Sequence, residues 1–349
     1  MQAIITQTVA IVGLWQYHSG MFNRDDGKSR PAVSGLRTRL RQSAATVVLG
    51  GVLVACLSGA QLLVAGRSAQ VRSQQEGRQW AGGLIKRVAN EGLDSYLGRS
   101  SITRYYLLKQ AGRPIGYAAL VIEPEIHPDH QLVFRGKELF HKPARNRQSS
   151  SYRSQCSFVV ANDLSWYRYQ EIAQQPHGRR MLSESQEQLM ADGVLKGSYS
   201  GPQRSFSLAP TKLDRPNLIP TPLQDLFSSL VDPEDSDDGV VLALVDFKPS
   251  GAKSDPIQEI WVRPGGDIPQ EIEHQTTWGS KVKSRWLGND LRQDTFYDRQ
   301  HQIVWQNSRA ETSSMLMTVV SRGELVDVFP DADAVLQQWI AREEHDERL

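Results

Sequence analysis

The hydrophobic and polar positions of this chain follow three successive patterns. An uncharged, almost continuously apolar run occupies 44–65, a helical stripe of apolar residues follows in 71–92, and strict alternation dominates from about 102 to 322. Alternation with period two is typical of strands that have one buried face and one polar face. Together the patterns predict an α+β chain in which an N-terminal transmembrane helix precedes a large antiparallel sheet with a few covering helices.

The apolar run at 44–65 is long enough to cross a membrane. As an α-helix its 22 residues would measure roughly 33 Å, close to the hydrocarbon thickness of a bilayer. Basic residues are more frequent before the run than after it, which favours a cytoplasmic N-terminus. We therefore expect a single-pass protein of the bacterial inner membrane. Its leader at 1–43 would be cytoplasmic, and its C-terminal domain would be periplasmic or extracellular. Met21 is a possible alternative start of the chain.

Lipidation is the alternative to a membrane-spanning anchor. The tetrapeptide "LVAC", which ends at Cys56, resembles the lipobox of bacterial lipoproteins, with a small residue at the cleavage position. Cleavage there would leave a lipoprotein anchored through Cys56. The residues after Cys56 stay apolar, whereas a mature lipoprotein usually turns polar, and this favours the uncleaved anchor.

A helical connector is predicted at 66–101, followed by the sheet domain at 102–349. The connector helix places Trp80, Leu84, Ile85 and Val88 on one stripe. Alternation then predicts two series of strands. The first series lies at 103–110, 115–126, 131–142, 151–162, 165–175, 180–192, 193–200 and 204–210, and the second at 240–247, 257–264, 269–278, 281–290, 294–299, 301–308 and 313–321.

Two further helices are predicted to cover the sheet. In "TPLQDLFSSLV", Thr221 is a potential cap, and Leu226 and Phe227 belong to an apolar stripe that predicts a helix at 222–231. The second helix is expected at about 331–343. Its inward residues would be Val335, Leu336, Trp339 and Ile340.

Charge and cysteine content exclude several classes of function. The 40 basic and 39 acidic residues are interspersed, so no nucleic-acid partner is expected. Cys56 and Cys156 provide neither a disulfide framework nor a zinc cluster. Cys156 shares a predicted strand face with Tyr152 and Phe158, which indicates a small core residue.

No motif identifies catalytic, cofactor-binding or metal-binding residues. The segment "EPEIHPDH" at 123–130 contains metal-ligating residue types, but its two prolines favour a solvated connection. "DPEDSDDG" lacks the glutamate that a calcium loop needs, and the basic stretch at 142–153 is typical of a polar loop. Phosphate loops, nucleophile elbows and HExxH sequences are absent from the sequence. We therefore expect a protein without a cofactor that is not an enzyme.

The segment "QEIWVRPGGDIPQEIEHQ" at 258–275 resembles a hairpin of the lipoprotein-carrier superfamily, the LolA/LolB-like proteins. A looser resemblance extends over about 100–330. It implies that the large antiparallel sheet is curved around its helices and binds lipid or lipoprotein in an apolar pocket, and Trp261, Trp286 and Trp305 are the candidate pocket aromatics. Unlike that family, this chain has its own predicted anchor. The alternative function is a structural or interaction subunit of an envelope assembly.

Overall fold

The computed structural model describes most of the chain from residue 71 onward. The leader with Met21, and the predicted anchor at 44–65 with Cys56, lie outside the described residues. Within the part that is described, no helix has the length and apolar character to cross a membrane. The described residues are 71–98, 100–126, 131–143, 150–174, 182–201, 205–213, 218–232, 239–245, 257–270, 272, 278–287, 291–310 and 313–341.

A single large sheet with few helices makes up the described domain, in agreement with the antiparallel-sheet part of the predicted fold class. Helix α1 occupies 71–91, α2 Gln224–Ser229, α3 Arg322–Val328 and α4 Ala332–Ala341. Short 3₁₀ turns cover Leu93–Ser95 and Thr221–Leu223. The strands are β1 Ile102–Gln110, β2 Arg113–Ile126, β3 Gln131–Lys142, β4 Ser150–Ala161, β5 Tyr167–Gln174, β6 Leu182–Leu189, β7 Val194–Ser200, β8 Ser205–Lys212, β9 Leu218–Pro220, β10 Val240–Val245, β11 Ile257–Pro264, β12 Trp278–Trp286, β13 Arg292–Asp298, β14 Ile303–Ala310 and β15 Ser313–Val320.

The strand order shows how two meanders join into one sheet. Across the sheet the order is β8-β7-β6-β5-β4-β3-β2-β1-β15-β14-β13-β12-β11-β10-β9. Strand β1 lies in the middle, where Leu108 pairs with Met317 of β15. Neighbouring strands are antiparallel, except that β9 runs parallel to β10. Strands β1 to β8 therefore follow one another from the centre to one edge of the sheet. The chain then crosses to the other edge at β9, and β10 to β15 lead back to the centre.

The covalent chain requires this sheet to curl. Its two edge strands, β8 and β9, are separated in sequence only by 213–217. Six residue steps from Lys212 to Leu218 span at most about 22 Å. Fifteen flat strands would place the edges about 67 Å apart, at about 4.8 Å per interval. The sheet must therefore bend until its edges approach one another, as in a barrel.

We call the face that carries the main hydrophobic core the inner face. This core joins residues of both halves, among them Leu108, Phe134 and Val282, with the α2 residues Leu226 and Phe227. All six residues of helix α2, including the polar ones, are buried. It therefore packs within the curve of the sheet, and the predicted helix at 222–231 is confirmed with a 3₁₀ first turn.

The opposite, outer face is covered in two separate places. Leu107 and Tyr117 of β1 and β2 pack against Leu325, Leu336 and Trp339 of α3 and α4. A smaller cluster gathers Ile272, Phe296, Val304 and Trp305 over the second half. Helix α3 was not predicted, although the sequence Ser321 to Glu324 carries its signal: the two residues form a capping box.

The predictions of which residues α1 and α4 bury are partly wrong. Trp80 of α1 is 49% exposed and Ile340 of α4 is 45% exposed, whereas Ala81 and Ala332 are buried. In α1 the adjacent small residue Ala81 is buried while Trp80 faces solvent, and in α4 Leu336 and Trp339 make the contact with the sheet while Ile340 faces solvent. The other predicted contacts of α1, at Leu84, Ile85 and Val88, are buried as expected.

The prediction of a hairpin at 258–275, the segment with the family resemblance, is also partly wrong. Strand β11 is present, but the described residues 269, 270 and 272 of its predicted return are not strand, and its partner β12 begins at Trp278. Gly265 and Gly266 take φ values of 108° and 141°, which lead the chain out of strand geometry. Ile272 instead closes a turn by donating its N–H to the carbonyl of Pro269 at 3.0 Å.

Candidate functional site

Three buried glutamates lie on the inner face of the first half of the sheet. Glu138, Glu171 and Glu187 come from β3, β5 and β6, and each side chain is nearly enclosed. Strand alternation places them there, because Phe134, Tyr167 and Leu195 of the main core occupy the same face. Buried carboxylates are costly unless they accept hydrogen bonds, so their partners decide what this region can do.

Tyrosine hydroxyl groups donate to two of these glutamates. Tyr152 Oη lies 3.0 Å from Glu171 Oε1, and Tyr169 Oη lies 3.1 Å from Glu171 Oε2. Tyr167 donates to Glu187 in the same way. We call Glu138, Glu171, Glu187, Tyr152, Tyr167 and Tyr169 the acidic–tyrosine cluster. The hydroxyl groups of all three tyrosines thus donate to buried carboxylates.

Cys156 borders the acidic–tyrosine cluster and is a core residue, as predicted. It is a free, buried cysteine on the inner face of β4. Burial, followed by the charges of Glu171 and Glu138, raises the pKa of its thiol well above the usual value. A thiol held protonated in this way is a poor nucleophile, so the residue contributes packing and no reactivity.

Asp225 of α2 brings a fourth carboxyl group into the interior. Its side chain is 3% exposed, and Oδ1 accepts a hydrogen bond of 3.1 Å from Tyr297 Oη. Oδ2 has no hydrogen-bond partner among the described residues. Burial raises the pKa of this carboxyl to about 7, against the lowering effect of the bond from Tyr297. Asp225 therefore changes its charge near neutral pH.

Tyr106 of β1 is also buried in the main core on the inner face. Its ring is 3% exposed, and its Oη has no hydrogen-bond partner in the described part of the chain. Burial raises the pKa of this phenol, and the charges of Asp225, Asp298 and Glu138 add to the rise while Arg104 opposes it. The hydroxyl thus lies within electrostatic reach of both acidic groups. We call Tyr106, Asp225 and Tyr297 the central polar site.

The cation beside the central polar site is not available to balance it. Arg104 lies on β1 with its guanidinium Nη2 2.6 Å from Asp298 Oδ2, and both side chains are largely buried. Asp298 also accepts backbone N–H groups of Gln300 and Gln302, which fixes the turn after β13. The Arg104 guanidinium is therefore engaged by Asp298.

The three predicted pocket tryptophans are not brought together. Trp286 is buried in the main core on the inner face. Trp305 belongs to an outer cluster, where its ring meets Phe296 edge-on at 5.5 Å between centroids. Trp261 lies between the inward Ile260 and Val262, and its outward ring contacts the guanidinium of Arg263 at 3.9 Å. Of the three, only Trp286 faces the interior.

Two serine–histidine pairs outside the central polar site do not form a catalytic relay. Ser229 Oγ donates to the Leu226 carbonyl at 2.7 Å and therefore accepts from the His301 ring at 2.9 Å, so His301 cannot take its proton. His141 lies 2.6 Å from Ser151, but its other ring nitrogen is 3.8 Å from Asp331, beyond hydrogen-bond length. Burial lowers the pKa of both histidines.

The sequence did not predict a metal site. The described residues contain no group of three or more histidine, cysteine, aspartate or glutamate side chains that could hold a metal ion. The candidate segment at 123–130 lies partly outside the described residues, since only 123–126 belong to β2. No catalytic or metal-binding residue is assigned among the side chains described.

Comparison with solved structures adds a structural similarity. No protein-family model and no curated protein matches the sequence. Among solved structures, the chain is similar to a β-barrel-like protein of a domain of unknown function, DUF1849, from Brucella abortus. The TM-score is 0.42 and the sequence identity 13%, over 63% of this chain and 95% of that chain. The resemblance to lipoprotein carriers remains a prediction.

Proposed function

We propose that this chain is a non-catalytic binding protein of the bacterial cell envelope that holds a lipid-like ligand against the inner face of its curved sheet. The observation that carries the proposal is the central polar site. Tyr106 Oη and Asp225 Oδ2 are buried without hydrogen-bond partners among the described residues. Buried polar groups are nearly always paired, so a bound molecule would explain both.

The width of the sheet supports the same proposal. Eight strands form a barrel whose interior is just filled by side chains, and the interior grows with strand number. This sheet has fifteen strands, and the main core on its inner face includes residues of both α1 and α2, among them Leu84 and Phe227. Apolar residues such as Phe134 and Phe158 line the same face as the polar groups. Apolar walls with a few polar groups are typical of small-ligand sites.

The anchor belongs to the proposal as well. Residues 44–65 would tether the domain to the inner membrane and place it on the periplasmic side, with lipidation at Cys56 as the alternative. A domain held at the membrane surface would exchange lipid-like ligands with the bilayer without diffusing away. An alkaline phosphatase fused after Leu349 should be active in this topology and inactive if the C-terminus is cytoplasmic.

Ligand retention tests the binding function directly. The full chain would be released from detergent inside a mass spectrometer, and co-purified small molecules would be weighed on the intact protein. Ala118 and Ala119 are adjacent buried residues on opposite faces of β2, the first in the main core and the second under α3 and α4. We expect Ala118→Val to reduce the retained ligand and Ala119→Val to leave it unchanged.

Two results would contradict the proposal. A folded full chain that retains nothing and takes up no added amphiphile would favour the interaction-subunit alternative. Equal loss of ligand in Ala118→Val and Ala119→Val would show that retention follows general stability rather than the inner face. Circular dichroism of both variants checks that the sheet is intact.

A further inference from the structure

Beyond ligand binding, we propose that the outer face of the second half of the sheet docks on an anionic phospholipid bilayer. Of the proposed function, this inference rests only on the predicted membrane tether. Strand alternation places basic side chains outward on the neighbouring strands β11 to β14, because Ile260, Val262 and Val282 between them face the main core. We call these side chains the basic face: Arg263, Lys281, Lys283, Arg285, Arg292 and Arg309.

The strand register brings these cations next to one another. Arg263 pairs with Lys283 between β11 and β12, and Arg285 pairs with Arg292 between β12 and β13. Arg292 in turn pairs with Arg309 of β14. Directly opposite side chains on one face of a sheet have Cβ atoms about 4.5–5.5 Å apart, and like charges at that spacing are destabilising. An anionic partner on this face would remove that repulsion.

Few carboxylates balance the basic face. The acidic residues on the outward side of β11 to β14 are Glu259 and Asp294. Arg78 of α1 donates to Glu259, and Arg309 forms an ion pair with Asp294 at 3.4 Å. Within the part of the chain that the structure describes, the other cations of the basic face have no ion-pair partner. An external anion can therefore approach them without displacing an ion pair.

The extent of the basic face and its tryptophan favour a bilayer over a single small anion. Lys283 and Arg292 are exposed, and Arg263 is exposed with its guanidinium stacked on Trp261, 3.9 Å from the ring centroid. Tryptophan is enriched at membrane–water interfaces, because its ring is apolar and its N–H is polar. Four neighbouring strands span about 14 Å, so their cations match several phosphate groups of a bilayer surface.

The attachment of α1 places the predicted anchor near the basic face. Helix α1 begins at residue 71, and six residue steps from Ala65, the last residue of the predicted anchor, span at most about 22 Å. Arg78, about 10 Å further along the helix, donates to Glu259 through Nε at 2.9 Å and Nη2 at 2.8 Å. Glu259 lies on the outward face of β11, as Trp261 does. A chain inserted through 44–65 would therefore hold β11 close to the bilayer.

Lysine labelling of the full chain tests this docking. The chain would be placed in nanodiscs of pure phosphatidylcholine, or of an equal mixture of phosphatidylcholine and phosphatidylglycerol, and treated with a water-soluble acetylating reagent before peptide mass spectrometry. We expect acetylation of Lys283 to be about fivefold lower in the anionic nanodiscs. Acetylation of Lys196, an exposed lysine on the outward face of β7, should not change. Salt at about 1 M should restore acetylation of Lys283, because it shortens the Debye length to about 3 Å.

Two matched charge reversals separate the basic face from the charge of the whole chain. Arg292→Glu changes an exposed arginine of the basic face. Arg168→Glu makes the same change at an exposed arginine of β5, which faces outward because the neighbouring Tyr167 lies in the main core. In the anionic nanodiscs, Arg292→Glu should raise acetylation of Lys283 about threefold or more. Arg168→Glu should leave it unchanged, although both variants alter the net charge equally.

The possible failures of this inference and of the proposed function are distinguishable. Equal acetylation of Lys283 in the two kinds of nanodisc would overturn the docking, while the retained ligand, weighed on the same samples, reports separately on the binding function. Protection of Lys283 by heparin but not by anionic nanodiscs would overturn it in favour of another polyanion. A full chain that does not co-elute with phosphatidylcholine nanodiscs would contradict the predicted anchor, and unchanged acetylation of Lys283 after addition of phosphatidylglycerol vesicles to that chain would overturn the docking as well.

Discussion

The two halves of the inner face bury polar side chains in different ways. In the first half, carboxylates accept from tyrosines, as Glu171 does from Tyr152 and Tyr169. In the second half, the polar network between β13 and β14 is neutral. Gln306 donates to Thr295 at 3.2 Å, Gln293 donates to Ser308 at 3.3 Å, and Ser308 donates to Gln306 at 3.5 Å. Each of these side chains carries both donors and acceptors, so the neutral network satisfies itself.

This difference distinguishes buried polar groups that the fold needs from buried polar groups that it does not need. A neutral network fills the space between strands at little electrostatic cost. Buried carboxylates pay a desolvation cost, and well-packed apolar residues would often be as stable or more so. Burying the carboxylates therefore costs more free energy than the fold requires, which supports a binding role for the acidic–tyrosine cluster and the central polar site. The neutral network has a structural role.

The largest expected effect comes from the helix that lies between the halves. Phe227 of α2 is fully buried in the main core. Phe227→Ala should lower the free energy of unfolding by about 3–5 kcal/mol, because it removes a large side chain and leaves a cavity. Urea unfolding of the full chain measures this loss. Ile340→Ala on the exposed side of α4 should cost less than about 0.5 kcal/mol. A loss below about 1 kcal/mol at Phe227 would mean that α2 does not hold the halves together.

A carboxylate placed in the neutral half tests the comparison more directly. Gln306 is buried, and Gln306→Glu keeps its shape while adding a charge without a cation. We expect a loss of about 2–4 kcal/mol at pH 8 that shrinks as pH falls and the new carboxyl protonates. Gln306→Met, the control at the same position, should show no such pH dependence. Equal pH profiles for the two variants would show that this half tolerates charge as the first half does.

Most of the strands were predictable because alternation is a local property. Strand β3 coincides with the predicted 131–142, and β11 with 257–264. The tyrosines and glutamate of "YRYQE" already alternate, so Tyr167, Tyr169 and Glu171 could have been assigned to one face from the sequence. The pairing of β1 with β15 could not, because it joins segments about two hundred residues apart and depends on the curl of the whole sheet.

The candidate site was less predictable than the fold. The polar residues of α2 are typical of a solvent-facing helix surface, and Asp225 is buried only because the sheet wraps around that helix. The faces of Trp261 and Trp305 depend on strand register, and the ladder shifts between Phe296 and Tyr297 near Trp305. A one-residue shift reverses the face of a side chain, so the three tryptophans could not be grouped from the sequence.

The carboxyl of Asp225 should make the stability of the fold depend on pH. Its pKa is about 7 in the folded chain and about 3.9 in the unfolded chain, so the folded state binds more protons between these values. Stability should therefore fall as pH rises from about 4 to 7, by up to about 1.4 kcal/mol for each pH unit at the steepest point. Asp225→Asn should remove this contribution. Urea unfolding at pH 5, 6, 7 and 8 measures the difference, and parallel curves for wild type and variant would place Asp225 in a more polar setting.

The smallest effect is expected at the two tyrosines whose hydroxyl groups lack partners among the described residues. Tyr106 lies on the inner face in the main core, and Tyr117 lies on the outer face against Phe329. Removing an unpaired buried hydroxyl removes a desolvation cost, so Tyr106→Phe and Tyr117→Phe should each leave stability unchanged or raise it by up to about 1 kcal/mol in ligand-free protein. A loss above about 1 kcal/mol in ligand-free Tyr106→Phe would show that the hydroxyl already has a partner inside the folded chain.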